Sequence, residues 1–224
     1  MKQLLTFGLV ILFASVTMSV KSQEEMTFKQ KISYAIGANL GGQVAHDGIE
    51  IDLDALAQGV RDGMAGQNKF TDEQMQEAFM QLQQEMQAKR ENVANEEKIK
   101  GQKFLEENKK NPDVKVTASG LQYKVVTQGN GPKPTATSKV TVKYKGTLLD
   151  GTVFDSTEKQ GGDPISFGLN QVIRGWTEGL QLMPTGSKYI FYIPSELAYG
   201  DQGAGGVIPG GATLIFEIEL LSFE

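Results

Sequence analysis

The 224-residue chain contains no cysteine. That absence excludes a disulfide scaffold, zinc–thiolate and iron–sulfur sites, thiol catalysis and a lipid anchor on an N-terminal cysteine. It contains one histidine, His46, so metal sites built from several histidines are excluded as well. The formal net charge is −5, the wrong sign for a protein whose main partner is nucleic acid, where binding rests on Lys and Arg neutralising phosphates. Long hydrophobic runs are scarce. The single one, Leu4 to Val16, follows Lys2 and is followed by small and polar residues, with Ser19 and Ser22 as candidate cleavage positions. It is shorter than the ~20 apolar residues a membrane span needs. We read residues 1–22 as a secretory signal peptide, which predicts an exported protein without a stable membrane anchor, most simply periplasmic, with the cell envelope or secretion as alternatives.

Proline is missing from the first 111 residues, and all seven prolines lie at or after Pro112. So do 17 of the 26 glycines, five of the six tyrosines and Trp176. The contrast divides the chain into a helix-permissive half and a turn-rich half, with the boundary near Asn111–Ser119. The first half reads as three helices. Met26 to Val44 carries Phe28, Ile32, Ala35, Ile36 and Leu40 at helical spacing. Asp52 can cap a second helix through Met64, with Leu53, Leu56, Ala57 and Val60 on one face. Thr71 and Gln74 form a capping box for a third, and Asp72 and Glu73 suit its first turn. That helix, of roughly 38 residues and about 57 Å, has a polar middle from Gln83 to Lys103 and reads as a solvated spacer. The two short helices, within the ~48 residues from Met26 to Glu73, are too small to make a core alone. With disulfides and metals excluded, oligomerisation remains, so residues 24–66 are expected to pair with a second copy.

The second half reads as antiparallel strands. Val140, Val142 and Tyr144 alternate with Thr141, Lys143 and Lys145, and Leu214, Phe216, Ile218 and Leu220 alternate with Ile215, Glu217 and Glu219. Asp150-Gly151 signals a hairpin, Lys188 to Ile193 a further strand, and Gly175 to Leu182 the one helix. The fold class is therefore α+β: an all-helical N-terminal dimerisation domain, a long linking helix, and a sheet wrapped on one short helix. The domain boundaries expected are 23–70, 71–112 and 113–224.

Familiar catalytic motifs are missing. There is no G-x-S-x-G, no P-loop, no EF-hand, and the glycines at 203 and 205 lack the third of a dinucleotide fingerprint. His46 is most simply a helix-end residue. Aromatic and branched side chains beside turns stand out instead: Phe154-Asp155-Ser156, Val172-Ile173-Arg174-Gly175-Trp176, Ala198-Tyr199-Gly200, and Ile208-Pro209 ahead of Ala212-Thr213-Leu214. In that order and spacing they closely resemble the FKBP family of peptidyl-prolyl isomerases over roughly residues 119–224. Ser33-Tyr34-Ala35-Ile36-Gly37 and Leu53-Asp54-Ala55-Leu56 with Gly59 resemble the helical extension of its bacterial exported members, the macrophage-infectivity-potentiator (Mip) and FkpA type.

The resemblance implies a five- or six-stranded antiparallel half-barrel around the short helix, with a proline pocket between them. It implies catalytic roles for Asp155, Tyr199, Trp176 and Phe154, and substrate contacts from Tyr144, Ile165, Val172, Ile173, Val207, Ile208 and Phe216. Ile165 stands where the family has Phe, and Ala204 where eukaryotic members often have His, which should reduce aromatic contact at the rim. Tyr199 OH and the Ile208 N–H would donate to substrate carbonyls, and Asp155 would either orient the twisted carbonyl or hold Tyr144. No cofactor or metal is implied. The partners implied are unfolded or folding proteins with X-Pro bonds, a second copy of the chain, and macrolide inhibitors. The alternative is a chaperone or adaptor that binds through the same pocket without turnover; the presence of both Tyr199 and Asp155 favours the enzyme.

Overall fold

The computed structural model describes residues 26–224, and the signal peptide expected over 1–22 lies outside them. No helix among the described residues is long and apolar enough to cross a membrane. Contacts divide the chain into two units, ending and beginning at Asn68 and Lys69.

The first unit holds α1 (Phe28–His46) and α2 (Leu53–Ala65). Thr27 caps α1 through a capping box with Gln30, a Thr-x-x-Gln signal like that at Thr71, and the helix runs two residues past Val44. Asp52 caps α2 by accepting from the N–H groups of Asp54 and Ala55, both at 2.9 Å. Gly66 ends it in the left-handed conformation. No residue of α1 or α2 is buried within the single chain.

The second unit opens with α3 (Asp72–Asn108), started by the Thr71–Gln74 capping box. The strands follow: β1 (Val114–Val116), β2 (Gln122–Thr127), β3 (Lys139–Thr147), β4 (Val153–Ser156), β5 (Ile165–Gly168), β6 (Lys188–Ile193) and β7 (Leu214–Phe223), with α4 (Arg174–Leu180) between β5 and β6. The sheet order is β1-β2-β6-β7-β3-β4, antiparallel where neighbours pair, and β5 also pairs with β3. The seven strands exceed the five or six expected. β3 carries β5 along residues 139–142 and β4 along 145–147, so one long strand supports two short ones and the loop between them. The β3–β4 hairpin turns at Asp150-Gly151, with Gly151 at φ 88° and Asp150 accepting from Thr152 N–H.

Alternation decides which face of the sheet is buried. Val140, Val142 and Tyr144 of β3 and Leu214, Phe216, Ile218 and Leu220 of β7 all point into the core. α4 lies close on that face because Gly175 and Gly179, one turn apart, meet β6. A Cβ on Gly175 would fall 2.5 Å from Ile193, and one on Gly179 2.6 Å from the Phe191 ring. This approach presses Trp176 and Leu180 into the core.

The solvated-spacer reading of α3 fails for its C-terminal half. Ala94 and Gly101 are buried, two turns apart, and Glu97, Lys98, Phe104, Leu105 and Asn108 on the same stripe are half-buried. They pack on the segment that leads into β7. A Cβ on Gly101 would sit 2.3 Å from Thr213 Oγ1, and the backbone of Ala94 faces Gly211. Lys98 pairs with Asp201 at 2.5 Å, Asn108 donates to Gln122, and Phe104 stands 5.8 Å from the Tyr192 ring. Small residues make this helix face sticky, so a search for large apolar side chains passes over it.

Candidate active site

The sheet, α4 and the loops at one end enclose a cavity of about 410 Å³, within the range of small-ligand sites. Trp176, 5% exposed, is central. Three rings stand edge-on to its indole: Tyr144 at 5.2 Å, Phe216 at 5.2 Å and Phe167 at 5.5 Å, with interplanar angles of 82–87°. This is the favoured geometry for aromatic quadrupoles, so the rings attract one another beyond their apolar burial. Val172 and Ile173, just before α4, close one side, and Gln171, Asp155 and Tyr199 supply the polar edge. The Trp176 Nε1 is buried with no hydrogen-bond partner among the described residues.

Asp155 reaches the pocket because β4 pairs it with Gly146, next to Tyr144's neighbour Lys145 on β3. Tyr144 OH donates to Asp155 Oδ2 at 2.5 Å. Burial first, then the Asp155 carboxylate, pushes the Tyr144 phenol far above the ordinary tyrosine range. Tyr199 is raised in the same order, by burial and by the Asp155 charge. No ion-pair partner of Asp155 exists among the described residues, so its charge is met by hydroxyl and amide dipoles alone.

Of the residues expected at the site, Asp155, Tyr199, Trp176, Tyr144, Val172, Ile173 and Phe216 come together around this cavity. Phe154 stands behind them, its ring 5.4 Å from Phe216 and edge-on. Ile165 packs against the core, and Val207 is 52% exposed on the glycine-rich loop. Ile208 also packs on the core, but its N–H is not open to substrate. It donates to Ala204 O at 3.0 Å while Ala204 N–H donates back to Ile208 O, an isolated bridge that closes the loop on itself.

Three residues were missed. Phe167, two residues on from Ile165 in β5, supplies an aromatic wall, edge-on to Tyr144 and Trp176. The signal was available, since residues two apart on a strand share a face. Gln171 and Gln160 carried none, being polar residues in polar turns.

Comparison with known proteins supplies the family. The family described as "FKBP-type peptidyl-prolyl cis-trans isomerase" matches residues 131–221, and the "domain amino terminal to FKBP-type peptidyl-prolyl isomerase" matches residues 29–125. The chain is 46% identical over 228 residues to the outer membrane protein MIP of Legionella longbeachae, covering 99% of this chain and 97% of that one. It is 43% identical over 197 residues to the FKBP-type 22 kDa peptidyl-prolyl cis-trans isomerase of Escherichia coli, covering 87% and 95%. The crystal structure of FkpA from Escherichia coli superposes with a TM-score of 0.64 at 38% identity, covering 88% of this chain and 97% of that one. Identities of 38–46% over 87–99% of its length to these proteins, together with the two matching family domains, place this aromatic pocket and its chain in the FKBP-type peptidyl-prolyl cis-trans isomerases.

Proposed function

We propose that the cavity over Trp176 receives the proline ring of exported polypeptides, and that the chain works as a homodimer through residues 24–66, adding chaperone capacity to isomerisation in the periplasm. The observation that carries the site is the joining of an aromatic cage to a single carboxylate edge. Rotation about a peptide bond faces a barrier of ~18–20 kcal/mol, and X-Pro bonds are the ones with an appreciable cis population. No bond to a leaving group breaks, so no nucleophile is needed. The twisted transition state loses amide resonance, and its carbonyl is less polar than in the planar ground state. An apolar cage therefore favours it, which is differential binding of the kind catalysis requires.

In this reading Trp176 is the floor for the ring, and Tyr144, Phe167 and Phe216 are its walls, with Phe154 buttressing Phe216. Val172 and Ile173 hold the chain beside the ring. Tyr199 OH donates to a substrate carbonyl. Asp155 holds Tyr144 and presents its charge to the rotating amide. Ile165, Val207 and Ile208 shape the rim by packing. The 24–66 dimer is supported by the exposure of Phe28 at 83%, Leu53 at 71% and Met64 at 87% in the single chain. A protease-coupled assay with a short X-Pro peptide tests the site. Acceleration that is lost in Asp155→Ala is expected, and a folded protein inert on every X-Pro peptide overturns it. A binding-only chaperone would suppress aggregation equally well with Asp155→Ala and wild type, and would accelerate nothing.

A further inference from the structure

We propose that Gln160 is the positioning residue of the site: it locks the Asp155 carboxylate and the Tyr144 hydroxyl into one pose through a ring of hydrogen bonds closed by an uncharged amide. The proposal rests on the reading of Asp155 as the carboxylate that acts on substrate. Gln160 ends the short 3₁₀ turn Glu158–Gln160, in the loop between β4 and β5. Its Nε2 donates to Asp155 Oδ1 at 2.8 Å and to Tyr144 OH at 3.1 Å. Tyr144 OH in turn donates to Asp155 Oδ2 at 2.5 Å. Both protons of the amide and both oxygens of the carboxylate are thereby used, and three side chains from β3, β4 and the turn close a cycle.

The turn that carries Gln160 is itself tied down. Thr157 N–H donates to Tyr144 O at 3.0 Å, and Gly162 N–H returns to Thr157 O at 2.8 Å. Lys159 N–H donates to Ser156 Oγ at 3.1 Å, while the Lys159 ammonium reaches back to Val153 O. So the cation on this turn is directed to a carbonyl, and the group that meets Asp155 is an uncharged amide. The other titratable groups facing Asp155 are the two tyrosines, Tyr144 and Tyr199, each held protonated by burial and by that carboxylate. A neutral clamp fixes the direction of the carboxylate and leaves its charge for the substrate. A cation in the same place would fix the direction and cancel the charge.

Two substitutions separate positioning from mere support. Gln160→Leu keeps the size and removes both hydrogen bonds. It should lower kcat/KM about tenfold, the scale of one lost hydrogen bond to a charged group, with the unfolding midpoint near wild type. Gln160→Glu sets a second carboxylate against Asp155 Oδ1. At pH 8 it should fall below Gln160→Leu. As pH drops toward 5 the new carboxyl, raised by its neighbour, takes up a proton and can donate to Asp155, so activity should recover, whereas wild type should stay flat over that range. A Gln160→Glu enzyme that is impaired equally at both pH values would show a structural role and overturn the proposal. So would full activity of both variants at pH 8 while Asp155→Ala is impaired. An unimpaired Asp155→Ala overturns the reading of the site beneath it instead.

Discussion

Trp176 shows how one side chain serves fold and site together. It fills the centre of the core, so Trp176→Ala should cost about 3–5 kcal/mol in urea unfolding, in the range for large-to-small core changes. Its indole N–H has no partner among the described residues, so Trp176→Phe gives up no hydrogen bond seen there and should cost much less. Equal losses in the two variants would show that the N–H finds an acceptor. Asp155 lies at the pocket edge, and Asp155→Ala should lower kcat/KM tenfold or more with only a small stability loss. Tyr199→Phe should act in the same direction. Unchanged turnover in both would place the site elsewhere. The tyrosines also set an alkaline limit. Burial raises Tyr144, Tyr189, Tyr192 and Tyr199 above the usual value, so the folded state keeps these protons after the unfolded chain releases them. The stability linked to them is complete below the unfolded value of about 10 and is lost as pH rises through the folded values. Urea midpoints should therefore hold up to about pH 9 and fall above 10, with tyrosinate absorbance of the native protein lagging behind that of the unfolded chain.

At the scale of elements, α3 belongs to the catalytic unit as much as to its approach. Its stripe from Ala94 to Asn108 braces the glycine-rich loop Asp201 to Gly211 and the segment that follows it, through Lys98 on Asp201 and Gly101 on Thr213. This reverses a common sign. Gly→Ala inside an exposed helix gains roughly 0.5–1 kcal/mol. Gly101→Ala should instead lose stability, because the new methyl would stand 2.3 Å from the buried Thr213 hydroxyl. Thermal unfolding decides it, and a higher melting temperature would mean that α3 does not hold this contact in solution. A fragment of residues 89–224 should match the full chain on short peptides. A fragment of residues 113–224 should retain the pocket, remain active and melt earlier, since it strips the brace from Thr213 and Gly211.

The whole molecule has an unsolved burial problem in its first unit. α1 and α2 carry Phe28, Ile32, Ile36, Leu53 and Val60 on their surfaces and bury no residue within one chain. Pairing two copies would cover both stripes in one shared core, an isologous interface of two-fold symmetry. Folding and association are then coupled, and stability should rise with protein concentration. Sedimentation equilibrium on the mature chain should give a dimer, while residues 89–224 should be monomeric. The dimer should also suppress aggregation of an unfolded protein better than the fragment does, because two linked pockets raise the effective concentration. A monomeric mature chain at tens of micromolar would overturn this account.

Local information determined a great deal. The proline boundary, the Thr71 and Asp52 caps, the Asp150-Gly151 turn and the alternation in β3 and β7 depend on neighbours a few residues away, so they are legible along the chain. Asp155 and the aromatic positions of the pocket other than Phe167 were legible too, as ordered stretches rather than as single residues. Tertiary structure decided what lies beyond that reach. It alone sets which face of a polar helix meets the catalytic unit, because Ala94 and Gly101 matter through what they admit and not through their own hydrophobicity. It alone closes Ile208 N–H onto Ala204, since a backbone donor has no signature in side-chain identity. And it alone brings Gln160 to Asp155 and Tyr144, because a hydrogen-bonded ring among three elements depends on strand register and on the path of a loop, neither of which is written at any one position.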